Sequence, residues 1–249
     1  MSRNFDILHK SHADDAGMFP VPGAHPRPRA NGNGNHKNGD ALVHEEIMKL
    51  VQRVFILPGA GKAPGALAFC GVNRGAGCSW VCARTAEALA GQDSGTVCVV
   101  DANFRSPALH TFFGHENTTG FADAVRDSRP IAEFARRISE TNLWLIPSGV
   151  VGAEPNGSLH PGRLRNRVME LRGQFSHVLM DTPAVDAYPD AVLLGQLTDG
   201  IVLVVGSNST RREPARIAKE SFEAAKVPML GAVLNKRTFP IPWPLYRKL

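Results

Sequence analysis

Two hydrophobic rhythms run along this chain. Within residues 45–55 the apolar Ile47, Leu50, Val51 and Val54 recur at helical spacing, which predicts one amphipathic helix. After a Gly/Pro-rich turn, short Val-rich runs at 66–72, 96–101, 143–147, 177–181, 200–205 and 229–234 alternate with helical patterns. Strands separated by helices of that length predict βαβ crossovers and an α/β fold: a doubly wound, mainly parallel sheet with helices on both faces. Ligands of such sheets bind beyond the carboxyl ends of the strands, so the chemistry is expected there.

The segment before the first helix has neither rhythm. Residues 11–42 are rich in Pro, Gly, Asn and His and cannot bury enough apolar surface to offset their ordering entropy. Residues 1–42 are therefore expected to be a disordered N-terminal segment and linker, and 43–249 a single domain. Phe5, Ile7 and Leu8 read as a frayed terminus, with a short docking segment as the alternative.

Composition narrows the class. Hydrophobic residues make up 43% and aromatics 7% of the 249, the balance of a Val/Ala/Leu-rich α/β core. The net charge of +5 suggests nucleic acid at first sight, but Lys and Arg are scattered, so no nucleic-acid partner is expected. Without a leader-like start or a long apolar run, the chain reads as cytoplasmic. Cys70, Cys78, Cys82 and Cys98 have neither zinc nor disulfide-framework spacing, and the histidines show no ligand spacing.

The first predicted strand ends in Gly71-Val72-Asn73-Arg74-Gly75-Ala76-Gly77-Cys78-Ser79-Trp80, and a helix follows. Strand, Gly-rich loop and helix make the context of a P-loop, whose backbone N–H groups cradle phosphates. The alternative is a tight turn without a ligand. A P-loop carries lysine before the serine; Cys78 stands there instead, so nucleotide affinity and catalysis are expected to suffer. Arg74 or Arg105 could replace the charge, or be solvated surface residues. At a helix N-terminus Cys78 could also be an acidic, redox-sensitive thiol, although a thiolate would repel phosphate. Trp80 is expected to pack in the core.

Two more strands end in acids, Asp101 and Asp181, placed to act on magnesium or an attacking hydroxyl. Their alternative is to cap the following turns.

On these segments the chain resembles the bacterial tyrosine autokinases of polysaccharide export, within the MinD/ParA-type P-loop ATPases. Asp101-Ala102-Asn103-Phe104-Arg105-Ser106-Pro107 with Phe113-Gly114 is similar to that family's second acidic motif, Asp-Ala-Asp-Leu-Arg-Arg-Pro with a downstream Phe-Gly. Asp181-Thr182-Pro183, Asp190-Ala191 and Thr198-Asp199-Gly200 resemble its Walker B region, and Gly231-Ala232-Val233-Leu234-Asn235 the strand whose Asn lies near the adenine. The resemblance implies ATP or ADP with magnesium as a weakened cofactor, held by Gly75, Ala76, Gly77, Cys78, Ser79, Trp80, Asn103 and Asn235. It implies Ser79, Asp101 and Asp181 as magnesium ligands, Asp101 and Asp181 in catalysis, and Tyr246 as phosphoacceptor.

The chain also departs from the family: Cys78 replaces lysine, Asn103 the second Asp, and one terminal tyrosine a cluster. The N-terminal helix is only loosely similar to the family's oligomerisation motif, and Asn73 stands where the MinD/ParA group has an extra lysine. The expected function is a pseudokinase-like regulator or scaffold of exopolysaccharide or capsule biosynthesis. Its implied partner is the cytoplasmic segment of a membrane polysaccharide co-polymerase, which would bring it to the inner membrane, and homo-oligomers are a further implied assembly. The alternatives are an active ATP-dependent tyrosine autokinase with a relocated charge, or a MinD/ParA-like ATPase switch.

Overall fold

The structure is a computed structural model that describes residues 4–6, 34–57, 62–92, 95–138, 140–150, 160–207 and 209–236. The strands are β1 (Asn4–Asp6), β2 (Ala66–Gly71), β3 (Val97–Asp101), β4 (Arg136–Arg137), β5 (Leu143–Ile146), β6 (His177–Thr182), β7 (Ile201–Gly206) and β8 (Met229–Asn235). They form one sheet in the order β1-β8-β7-β2-β6-β3-β5-β4. Every pairing is parallel except β4 with β5. All six strands expected from the hydrophobic rhythm are present.

The central strands are apolar throughout because both faces are covered. Successive side chains alternate between faces. Leu67, Phe69, Val97, Val99, Leu179, Val202 and Val204 pack with α1 (Gly34–Val51) and α2 (Cys78–Ala90). On the other face, Ala66, Cys98, Val100, Val178 and Met180 meet α4 (Phe121–Arg126) and α5 (Pro161–Gln174). Ala68, Cys70, Ile201 and Leu203 meet α6 (Asp190–Leu197) and α7 (Arg212–Ala224).

The predicted first helix is present, with Ile47, Leu50, Val51 and Val54 all buried. It closes in a π-helical turn at Gln52–Ile56, whose wider winding lets adjacent Val54 and Phe55 both go inside. Two expectations are corrected. α1 begins at Gly34, so residues 34–42 are helical and not linker. Extending a helix already anchored by an apolar stripe is far cheaper than starting one, and poor helix formers can therefore be carried along. Asn4–Asp6 is not frayed: it adds to the sheet edge in register with Ala232, Val233 and Leu234, where β8 offers unpaired backbone groups. The remainder of the expected linker, like Tyr246, lies outside the described residues. Among the described residues no helix is long and apolar enough to cross a membrane.

Candidate functional site

Strand order decides where the site lies. β2 sits between β6 and β7, and β3 lies beyond β6, so the Gly-rich loop after β2 and the acids ending β3 and β6 emerge at one edge. The loop doubles back through Gly75 at φ +83° and Gly77 at φ +86°, conformations that glycine adopts freely. It is held from three sides. Val72 N–H donates to Val204, Val185 N–H donates to the Gly71 carbonyl, and Ala76 N–H bonds back to Asn73. Gly77 is the N-cap residue of α2, whose first-turn N–H groups have no intrahelical partners and therefore face the loop.

Above the loop is a cleft of about 450 Å³. Gly75, Ala76, Gly77, Cys78, Ser79, Trp80 and Asn103, all expected at the site, line it together with Arg105, Phe112 and Tyr188. Trp80 therefore has two settings, since it also packs against the α1–α2 core. Asn235 takes a different place. It is buried beneath the loop, its Nδ2 donating to the Ala76 carbonyl at 3.0 Å and its Oδ1 accepting from Lys236 N–H at 2.9 Å.

Asp101 and Asp181 are paired in register and fully buried. Ser79 Oγ donates to Asp181 Oδ2 at 2.5 Å, while Asp181 Oδ1 has no hydrogen-bond partner among the described residues. Burial, reinforced by the Asp101 charge and opposed by the Ser79 and Cys78 hydrogen bonds, pushes the Asp181 pKa up to about 8. Burial raises Asp101 to about 6, less far because backbone N–H groups stabilise its charge. Those groups show its structural job: Asn103 N–H reaches Oδ1, and Ala108 and Leu109 N–H reach Oδ2 at 2.9 and 3.0 Å. Asp101 thus caps the turn into α3 (Leu109–Phe112), the capping role set out as its alternative.

A magnesium nucleotide fits this donor set in part. Ser79 and the unpartnered Asp181 oxygen could hold the ion, and the α2 N-terminus faces where phosphates would lie. Before Ser79 stands Cys78, not a lysine. The reading of Cys78 as an acidic thiol is corrected: burial first, then the Asp181 charge, pushes its pKa well up. Cys70 is driven by burial to about 12, and Cys82 and Cys98 are also raised by burial.

Arg105 is engaged elsewhere. Its Nε donates to Asp190 at 3.4 Å, and its guanidinium lies 4.5 Å from the Tyr188 ring centroid, joining the two walls of the cleft. Tyr188 escaped the sequence reading because no motif contains it, its one signal being its position two residues before Asp190; Phe112, beside the Phe113-Gly114 likeness, was not expected to line the site. Asp199, quoted for its family likeness, lies away from the cleft. It accepts from Gly65 and Ala66 N–H and from Arg172, fastening the entry to β2.

Residues 65–223 match the protein family described as "Cellulose biosynthesis protein BcsQ". The "Tyrosine-protein kinase YwqD" of Bacillus subtilis (strain 168) is 32% identical over 161 residues, which is 65% of this chain and 68% of that protein. Among solved structures, "The kinase domain of Escherichia coli tyrosine kinase ETK" superposes with a TM-score of 0.78 at 18% identity, covering 97% of this chain and 94% of the other. The septum site-determining protein MinD from Pyrococcus horikoshii OT3, complexed with Mg-ADP, gives a TM-score of 0.59 at 19% identity, covering 74% and 76%. At these identities the two structures speak for the fold alone, a P-loop ATPase fold.

Proposed function

We propose, on the premise that this chain belongs to the family of the cellulose biosynthesis protein BcsQ and to the bacterial tyrosine-protein kinases, that it is a degenerate member serving as a regulator or scaffold in exopolysaccharide biosynthesis. The observation that carries the reading is Cys78. A neutral thiol stands where a charged lysine would neutralise phosphate, and it faces a buried pair of acids. Asn103 supports it, because an amide cannot accept and carry the proton of an attacking hydroxyl. Its Oδ1 instead accepts from Ser106 N–H.

In this reading the fold is retained for binding other proteins, with the cytoplasmic segment of a membrane polysaccharide co-polymerase as the partner, and nucleotide bound weakly. The match to a family of cellulose biosynthesis proteins supports the polysaccharide setting.

The test is calorimetry of ATP and ADP with magnesium on the natural protein and on Cys78→Lys. A restored charge-assisted bond is worth about 1.5–3 kcal/mol, so the variant should bind roughly 10- to 150-fold more tightly. Micromolar binding by the natural protein, unimproved by lysine, would refute the degenerate reading and favour the active autokinase, to be checked by phosphotyrosine formation.

A further inference from the structure

The loop lacks its own lysine, but another lysine lies against it. A Cβ placed on Gly77 would stand 3.7 Å from Cε of Lys236, so the Lys236 side chain runs alongside the last glycine before α2. Lys236 is exposed, and no carboxylate among the described residues forms an ion pair with it.

Its backbone is unusual as well. Lys236 has φ +59°, a left-handed conformation that costs energy for a residue with a side chain. The other such residue among the described ones, Lys226, lies just beyond the end of α7, where left-handed residues are common. Lys236 follows a strand and has no such excuse. It is held there by the Asn235 carboxamide, whose Oδ1 accepts the Lys236 N–H while its Nδ2 grips the Ala76 carbonyl. One buried side chain therefore fixes both the loop and the direction in which the lysine leaves the sheet. Strain of this kind persists where surrounding structure enforces it, often at binding sites.

We propose that Lys236 is the cation of this phosphate-binding loop, contacting the phosphates of a bound nucleoside polyphosphate from the β8 side in place of the absent lysine. The proposal rests on the reading of the loop as a phosphate site, though not on the scaffold role. A lysine delivered this way neutralises charge at the loop from outside the helix. It therefore supports weak binding without restoring the arrangement that a lysine at position 78 would give.

The experiment compares the natural protein, Lys236→Gln, Lys236→Arg, Cys78→Lys and the Cys78→Lys/Lys236→Gln double variant, each titrated calorimetrically with ADP and with inorganic pyrophosphate in the presence of magnesium. Glutamine has the same backbone constraint as lysine, and a thermal melt of each variant verifies folding. Lys236→Gln should weaken both ligands about tenfold in the Cys78→Lys background, and likewise in the natural protein wherever binding is measurable, whereas Lys236→Arg should retain affinity. Unchanged affinity in the double variant overturns the proposal alone, and so does a loss confined to ADP, which would place the lysine on the base or sugar. If Cys78→Lys binds neither ligand, the phosphate-site reading and this proposal fall together.

Discussion

Replacing Gly77 with alanine tests how the loop is held. Gly77 sits at φ +86°, where an L-residue costs about 1–2 kcal/mol, and its new Cβ would overlap Asn235 Nδ2. To make room the carboxamide must leave the Ala76 carbonyl, stranding a buried hydrogen bond worth about 1–3 kcal/mol. The expected cost of Gly77→Ala is therefore about 2–5 kcal/mol, a fall in Tm of about 5–15 °C for a chain of this size. Urea unfolding followed by circular dichroism measures it.

Asn235→Ala alone should cost about 1–3 kcal/mol, because the Ala76 carbonyl loses its donor. The double variant should not pay twice, since the overlap is gone along with the carboxamide. It should be more stable than the sum of the single changes predicts by about 1–3 kcal/mol. A Gly77→Ala protein within about 0.5 kcal/mol of the natural one, or a strictly additive cycle, would refute the account of a loop clamped by Asn235.

The remaining predictions concern buried charge. Asp181 has its folded pKa raised to about 8 from the ordinary aspartate value of 3.8, so between these values the folded state holds a proton that the unfolded state has released. Stability from this group is complete at low pH and is lost as pH rises through that window, and Asp101, raised to about 6, adds the same sign. Urea melts of the protein should weaken by about a few kcal/mol between pH 5 and 8.5, and Asp181→Asn should flatten the slope and be the more stable form at pH 8.5; a slope unchanged by the substitution would contradict the assignment. Arg167, buried against α4, donates to the Ala124 and Asp127 carbonyls at 2.7 and 2.6 Å and pairs with Glu170. Arg167→Met should cost about 3–5 kcal/mol in the same assay, and Lys should rescue little because it lacks the planar fork; a cost under about 1 kcal/mol would show that water replaces the guanidinium.

Much of this protein is legible in its sequence, for a physical reason. Strand and helix periods reflect which side chains are buried, and six apolar runs with both faces covered announce a parallel sheet from the sequence alone. The Gly-rich loop and the acids at 101 and 181 were legible too, because strand ends in such folds converge on one edge. That a cysteine, Cys78, precedes the loop serine could be read directly. The short β1 and β4 were not, since two- and three-residue strands have no period to detect.

What only the tertiary structure decided is which groups meet. Ser79 reaches Asp181 across 102 positions of sequence, and the Asn235 carboxamide reaches the loop across 159. Arg105 is spent on Asp190 and Tyr188, and Asp101 on capping a turn. Lys236, an ordinary surface lysine by sequence, comes to lie along Gly77. The Ser79, Asn235 and Lys236 contacts depend on strand order, which brings the ends of β6 and β8 to the loop. Strand order is chosen by packing of the whole core, so no local stretch of the chain encodes it.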